Sequence, residues 1–234
     1  TEVADRVVYV CLLDVESAYD SACFSVVRET VRRLGASDEK VDRFCSLVCG
    51  GSNRVRTAQG VGSAFPVERG LRQGDCLSPL FFDLVIDPVL RAENCESRGV
   101  SVDERDLVRV SVIAYADDLL VMASSRRALE AAVQRVSLSL AAVGMALSFP
   151  KCVAAVIDRH VGEMGPPPPL PLSISSVDRS SLGVVHGSVN FVDPMRDSGV
   201  RYLGSPLLPS LHAGEVVERI ARAILGVGLR VHQS

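Results

Sequence analysis

The chain lacks three features that would each place it in a familiar class of protein. Its seven cysteines include no Cys-x-x-Cys pair, and an odd count without such a pair argues against a disulfide framework and a zinc ribbon. The four histidines, at positions 160, 186, 212 and 232, have no metal-ligand spacing. No apolar stretch reaches the roughly 20 residues that a membrane-spanning helix needs, and no signal-peptide pattern opens the chain. These absences predict an intracellular, reducing compartment and no membrane partner.

A basic excess is missing as well. The formal net charge is −3, whereas a protein that holds a nucleic-acid duplex usually has a basic balance or a basic stripe. The charge of the whole chain therefore neither supports nor excludes nucleic-acid binding. Hydrophobic residues, in contrast, make up 47% of the 234 positions, enough to bury the core of one domain and part of a second.

Two adjacent carboxylates between apolar segments are the first sign of a functional site. Asp117 and Asp118 follow the alternating segment 108–114 and precede the aliphatic segment 119–123, which predicts two paired strands with the acids at their turn. Because adjacent carboxylates repel each other, such a turn favours a bound divalent cation. Asp-Asp is also ordinary turn chemistry, so the pair alone leaves both interpretations open.

A third carboxylate strengthens the metal hypothesis. Asp14 ends the apolar run 7–13, which is too continuous for a surface strand and indicates a central strand buried on both faces. A charge at the mouth of a buried strand is costly. Converging carboxylates Asp14, Asp117 and Asp118 could hold two Mg²⁺ ions about 4 Å apart for in-line phosphoryl transfer.

Five segments, in order, resemble the motifs of a reverse transcriptase palm. They are 13–20 (LDVESAYD), 70–82 (GLRQGDCLSPLFF), 115–118 (YADD), 144–152 (GMALSFPKC) and 201–204 (RYLG). The first segment has an aromatic residue five positions after its Asp, and the last resembles the entry to a primer grip. The Ala-aromatic-Asp ending of the first and the Arg-Gln-Gly-Asp-x-Leu-Ser-Pro form of the second are most similar to non-LTR (LINE-type) retrotransposon enzymes.

This resemblance implies an RNA-directed DNA polymerase that adds deoxynucleotides to a primer 3′-hydroxyl. Its partners would be an RNA template, a DNA primer and deoxynucleoside triphosphates, and its work on chromosomal DNA implies a nuclear location. Fingers, thumb and endonuclease domains of the same polyprotein would lie outside this sequence, so we expect the fragment alone to be inactive. A palm carries the acids while the neighbouring domains carry most phosphate-binding Lys and Arg, which suits the slightly acidic charge.

The resemblance also assigns roles at the metal site. Asp14, Asp117 and the Val15 carbonyl would hold two Mg²⁺ ions, with Mn²⁺ as an alternative, and Asp118 would be a weaker partner. Lys151 matches a lysine that lies near the pyrophosphate and is a candidate general acid. A lone Lys after a Pro is, however, often only a solvated loop residue.

Further residues are assigned to substrates. Tyr19 would stack under the sugar and exclude a 2′-hydroxyl, unless it is merely a core aromatic residue. Gln73, in a turn flanked by glycines that include Gly74, would contact the incoming nucleotide and its base pair, and Arg72 beside it is either a contact or a surface charge. The candidate primer-binding residues are Tyr202, Leu203 and Gly204.

The pattern of elements predicts an α+β fold with three segments. Residues 1–157 would form a palm with an antiparallel sheet and helices packed on one face, in the order strand, two helices, hairpin, helix, hairpin, helix, strand. Residues 158–198 would be a Pro-rich segment and insertion, and residues 199–234 the primer-grip turn and the start of the thumb. Fingers and most of the thumb would be absent.

Two rival classes remain open. One is an RNA-templated RNA polymerase or a cyclase that shares the palm, and Tyr19 argues against it because a small residue would be expected there. The other is a decayed or domesticated palm that acts as a non-catalytic nucleic-acid-binding or structural module. Loss of a metal-binding acid would signal such decay, and all three acids are present.

Overall fold

The computed structural model describes residues 7–47, 51–96, 99–101, 109–158, 170–177, 183–192, 201–202 and 205–206. Its α-helices are α1 (Ala18–Ser21), α2 (Phe24–Arg33), α3 (Asp38–Ser46), α4 (Ser78–Glu96) and α5 (Arg126–Ala142), with a short 3-10 helix at Phe149–Lys151. Its strands are β1 (Val7–Asp14), β2 (Ser52–Asn53), β3 (Arg56–Thr57), β4 (Gly60–Val61), β5 (Phe65–Pro66), β6 (Val100–Ser101), β7 (Arg109–Val110), β8 (Val112–Tyr115), β9 (Asp118–Ala123), β10 (Val153–Asp158), β11 (Leu172–Val177), β12 (Val184–Phe191), β13 (Arg201–Tyr202) and β14 (Ser205–Pro206).

One six-stranded sheet forms the centre of the fold, in the order β11-β12-β10-β1-β9-β8. Strand β1 is central and runs antiparallel to both β10 and β9. The pairs β8–β9 and β11–β12 are also antiparallel, and only β10 and β12 run parallel. The predicted antiparallel palm sheet is confirmed.

The two faces of the sheet have different coverings. Odd-numbered residues of β1, such as Cys11 and Leu13, belong to the large core cluster that also contains Val27 of α2, Phe81 of α4 and Leu129 of α5. Burial of each large apolar side chain in this layer contributes about 1.5–3 kcal/mol. The helices therefore pack on one face of the sheet, as predicted.

The opposite face carries a smaller apolar cluster. Even-numbered residues of β1, Val8 and Val10, pack there with Leu120 and Met122 of β9 and with Val100 of β6. Because strand side chains alternate between faces, the even-numbered residues at the end of β1 and the start of β9 lie on this face too. Asp14 and Asp118 are such residues.

Local sequence signals account for several of these elements. Ser125 caps α5, since its hydroxyl accepts a hydrogen bond from the Ala128 N–H at 3.2 Å. Pro79 lies in the first turn of α4, and Pro88 lies inside that helix. The hairpin predicted around residues 54–67 consists of two nested pairs, β2 with β5 and β3 with β4.

Strands β11 and β12 were not predicted. They lie within the segment 158–198, yet they extend the central sheet through the contact of β12 with β10. Their composition explains the omission, because β11 (LSISSV) has serines at three of six positions and β12 contains Gly187, neither of which favours strands.

Side chains of α5 hold the outer strand β11 in place. Arg126, Glu130 and Gln134 lie one turn apart on the helix and each hydrogen-bonds a backbone group at or beside β11. Gln134 is bidentate, because its amide accepts from the Ser175 N–H at 2.7 Å and donates to the Ser175 carbonyl at 2.8 Å. These bonds satisfy an otherwise open sheet edge and fix the β11–β12 pair to the helix layer.

Two further expectations lie outside the described residues. They are most of the Pro-rich segment, from residue 159 to 169, and the start of the thumb after residue 206. Among the helices that the structure describes, none combines the length and the hydropathy needed to cross a bilayer.

Candidate active site

The register of three strands aligns two acids and a tyrosine in one row. Tyr115 of β8 pairs with Asp118 of β9, and Asp118 pairs with Asp14 of β1. Paired residues of neighbouring antiparallel strands have Cβ atoms about 4.5–5.5 Å apart and point to the same face. The row thus lies at one end of the sheet, on the face opposite the helices.

Asp117 lies in the two-residue loop that joins β8 to β9. Ala116, the first loop residue, has φ 51°, in the left-handed region that costs a residue with a Cβ about 1–2 kcal/mol. Tight hairpins require positive φ at this position, so the strain is a consequence of the short loop. The loop presents Asp117 beside the Asp14–Asp118 pair at the tip of the hairpin.

The carboxylates influence one another. Burial raises the pKa of Asp118, and the negative charges of Asp117 and Asp14 raise it further. All three acids therefore share one electrostatic environment with an excess of negative charge. A divalent cation would offset that excess, and carboxylate oxygens are the ligands that Mg²⁺ prefers.

The donor set fits a metal ion that is completed by other ligands. Across the described part of the chain, no group of three or more His, Cys, Asp or Glu side chains encloses a metal position by itself. Mg²⁺ is usually held by one or two carboxylates together with water and substrate phosphates, so the acids of this row suit that mode. Val15 forms an isolated β-bridge with Leu147. The hydrogen bonds of this bridge use neither the N–H nor the carbonyl of Val15.

Lys151 continues the row on the other side of Asp14. Leu12 pairs with Val153, and two more residues of the same register bring Lys151 opposite Asp14. The Lys151 ammonium lies 3.4 Å from the Asp14 Oδ2 atom, and 70% of the lysine side chain is exposed. An ion pair this exposed adds little stability.

Cys152 supports the backbone of Asp14. Its sulfur accepts a hydrogen bond from the Asp14 N–H at 3.5 Å and donates one to the Ser148 carbonyl at 3.3 Å. Burial raises the pKa of Cys152 to about 11, so the thiol stays protonated at neutral pH and can make both bonds. Sequence reasoning assigned this cysteine no role, although it follows Lys151 directly.

Tyr19 packs against the helix-side core, within electrostatic reach of the acids. It is in α1, which follows the left-handed residue Ser17 (φ 45°), and its ring stacks on Phe82 of α4 with centroids 5.0 Å apart and planes 10° apart. Burial raises the pKa of Tyr19, and the charges of Asp117 and Asp83 add to that effect. Tyr19 is therefore close to the acids, as its predicted role requires.

The loop that carries Arg72, Gln73 and Gly74 is tied to the Tyr19 segment. The Leu71 N–H donates to the Tyr19 carbonyl at 2.8 Å, and the Ser78 hydroxyl donates to the Arg72 carbonyl at 2.6 Å. Gly74 has φ +89°, a conformation that favours glycine. All three predicted residues are exposed beside the site.

The structure thus brings Asp14, Asp117, Asp118, Lys151 and Tyr19 together. Tyr202 lies in β13, which pairs with β14, whereas Leu203 and Gly204 fall outside the described residues.

Sequence reasoning missed two neighbours of Tyr19. Phe82 stacks on its ring, and the charge of Asp83 acts on its hydroxyl. The pair Phe81-Phe82 at the end of the second motif could have pointed to one of these neighbours. Adjacent residues of a helix face different directions, so only one of the two rings could face Tyr19.

Family comparison agrees with this geometry. A family model described as "Reverse transcriptase (RNA-dependent DNA polymerase)" matches residues 3–207. The retrovirus-related Pol polyprotein of the type-2 retrotransposable element R2DM of Drosophila melanogaster is 33% identical over 147 residues, 63% of this chain and 14% of that protein. The corresponding protein of a type-1 retrotransposable element R2 of Nasonia vitripennis is 30% identical over 144 residues, 62% of this chain and 14% of that protein. The chain spans about a seventh of the length of these relatives.

Solved structures share the fold. Apo telomerase of Candida tropicalis, truncated from its C-terminal domain, superposes with a TM-score of 0.53 at 16% identity, covering 76% of this chain and 35% of that one. Telomerase of Candida albicans, in complex with a fragment of telomeric RNA, gives a TM-score of 0.51 at 14% identity, covering 76% of this chain and 30% of that one. At sequence identities this low, the similarity shows a shared fold alone.

Proposed function

The chain belongs to the reverse transcriptase (RNA-dependent DNA polymerase) family, and on that premise we propose that it carries the polymerase active site of a non-LTR retrotransposon protein. The reaction is addition of deoxynucleotides to a primer 3′-hydroxyl, directed by an RNA template. The observation that supports this most directly is the pairing of Asp14 with Asp118, with Asp117 in the adjoining two-residue loop.

The acids bind the ions of the reaction. Asp14, Asp117 and the Val15 carbonyl would hold two Mg²⁺ ions, or Mn²⁺ in their place, with Asp118 as the weaker partner. Bound there, the metal supplies Lewis-acid activation of the primer hydroxyl and charge stabilisation for the leaving pyrophosphate. Burial and then the charges of Asp117 and Asp14 raise the pKa of Asp118, and a bound cation would offset this charge repulsion, which supports the assignment.

Lys151 contacts the triphosphate. Its ammonium is within 3.4 Å of Asp14, so a phosphate bound at Asp14 is also within its reach. We assign to its Nζ atom the proton that the leaving pyrophosphate accepts.

Tyr19 and the neighbouring loop bind the incoming nucleotide. The ring of Tyr19, held by Phe82, closes the floor of the pocket against a 2′-hydroxyl. Gln73, with Arg72 and Gly74, contacts the nucleotide and its base pair from the loop that hydrogen-bonds the Tyr19 backbone. The residues proposed for the primer are Tyr202, Leu203 and Gly204.

The partners follow from the reaction and from the relatives. They are an RNA template, a DNA primer, deoxynucleoside triphosphates, and the fingers, thumb and endonuclease domains of one polyprotein. The similar proteins are named as Pol polyproteins of retrotransposable elements, and an element that integrates into chromosomal DNA would act in the nucleus.

A substitution at Asp117 tests the proposal. In the complete natural protein, Asp117→Asn should abolish primer extension and leave RNA binding largely intact, because this acid serves the chemistry and makes no contact with the nucleic-acid backbone. Asp87→Asn is the matched control, since Asp87 lies in α4 in an exposed ion pair with Arg91 that contributes little to stability. DNA synthesis by the Asp117 variant would refute the proposal and favour the non-catalytic module. Equal loss of synthesis and RNA binding would indicate a folding defect instead.

A further inference from the structure

The β11–β12 pair projects beyond the row of acids. Strand β12 pairs with β10 only at its last residues, Asn190 with Val153 and Phe191 with Ala154. Residues 184–189 of β12 pair with β11 alone. At about 3.3 Å a residue, this part of the strand extends roughly 20 Å past the start of β10, on the side of Lys151.

Register places one face of this projection on the same side of the sheet as the acids. Asn190 is next to Val153, and Val153 belongs with Leu12 to the apolar cluster of the face that carries Asp14. By alternation, Ser188 and His186 lie on that face as well, and both are exposed. Leu172 and Val189 face the other way, into the helix-side core.

Lys151 belongs to the element that packs against this part of β12. The 3-10 helix that contains Lys151 is held against β12, because the Phe149 ring packs over Gly187 so closely that a Cβ there would clash with it. Lys151, the ion-pair partner of Asp14, is therefore carried by a segment that contacts β12 at the residue between His186 and Ser188.

The imidazole of His186 has a fixed orientation. Its Nδ1 atom is hydrogen-bonded to the Ser175 hydroxyl at 3.0 Å, and Ser175 is clamped in turn by Gln134 of α5. No described residue engages its Nε2 atom, which can donate to a ligand in the tautomer whose Nδ1 accepts from the Ser175 hydroxyl. His186 is exposed, and in the strand order β12-β10-β1 it lies on the side of β10 that is remote from Asp14.

We infer that His186, together with the Ser188 hydroxyl, forms an anion-binding position beside Lys151 for the terminal phosphates of the incoming nucleotide and for the leaving pyrophosphate. The chemistry is that of phosphate oxygens, which accept hydrogen bonds from imidazole N–H, hydroxyl and ammonium groups. This inference rests on the proposed function, because the proposed role of the site is what brings a triphosphate to Lys151.

The test uses primer extension and its reversal by inorganic pyrophosphate in the complete natural protein. For His186→Ala, KM for the deoxynucleotide and the half-saturating pyrophosphate concentration should both rise by about threefold to tenfold, as expected for one exposed hydrogen bond, with little change in kcat. His186→Lys retains a phosphate donor and should restore most of both values. Val184→Ala, two residues outward on the same strand face, is the matched control and should change neither.

Different results separate this inference from the proposed function. Unchanged KM and unchanged pyrophosphate dependence in His186→Ala, while Asp117→Asn is inactive, would overturn the inference alone. A weaker affinity for the primer–template that accounts for the whole rise in KM would also overturn it, because His186 would then contact the nucleic-acid backbone. Absence of extension by the unaltered protein would overturn both.

Discussion

Replacement of Phe82 by leucine should loosen the choice between ribo- and deoxynucleotides without any change in a residue that touches the sugar. Phe82 is fully buried and stacks on Tyr19. Loss of the ring removes buried surface, at a cost of roughly 1–2 kcal/mol of unfolding free energy, and removes a stacking contact worth about 0.5–1.5 kcal/mol. Of these two contributions, only the stacking contact holds the Tyr19 ring in place.

The stacking energy sets the expected effect on selectivity. If it is what holds the ring under the sugar, its loss should reduce discrimination against ribonucleotides by at most about twofold to tenfold. Tyr19→Val removes the clash itself and should relax discrimination further, by about ten- to a hundredfold, with a much smaller fall in deoxynucleotide incorporation. The two substitutions together should not be additive, since they act on the same ring.

Phe81 provides a matched control. It is also fully buried in α4, and it stacks on Phe44 with centroids 4.6 Å apart, away from Tyr19. Phe81→Leu should therefore cost similar stability and leave sugar selection unchanged. Single-nucleotide extension with matched ribo- and deoxynucleotides, together with denaturant unfolding of each variant, measures both quantities. Equal relaxation in the two Phe variants would refute the reasoning, because selectivity would then follow general stability.

Two predictions concern the hairpin tip. Asp118→Asn should raise the free energy of unfolding at neutral pH, because a carboxyl whose folded-state pKa is raised destabilises the folded state once it ionises. The advantage of the variant should disappear as pH falls through the raised pKa towards the unfolded value near 4, and urea titrations that show no pH dependence would contradict this electrostatic cause. Ala116→Gly should stabilise the protein by up to about 1 kcal/mol, because relief of the positive φ exceeds the added entropy of the unfolded chain. A lower denaturation midpoint at unchanged m-value would show that the loop is not strained.

Local pattern was sufficient to predict the palm sheet and the family. The apolar run before Asp14 indicated a central strand, the segments around Asp117 and Asp118 indicated a hairpin, and the structure pairs those strands in that way. Each of these signals is short-range, because strand periodicity and turn chemistry depend only on neighbouring residues. The match of the family model over residues 3–207 confirms the resemblance that the motifs carried.

Tertiary structure decided what no local pattern carries. Register, a property of strand pairing, set Asp118 and not Asp117 directly opposite Asp14, and helix packing selected Phe82 and not Phe81 to support Tyr19. The β11–β12 pair had no clear strand signal, because the serine-rich sequence of β11 has a low strand propensity. This edge strand is stabilised instead by side chains of α5, through hydrogen bonds such as those of Gln134. Residues far apart in sequence meet only when the sheet forms, and the contact of the Phe149 ring with Gly187, the neighbour of His186, is of that kind.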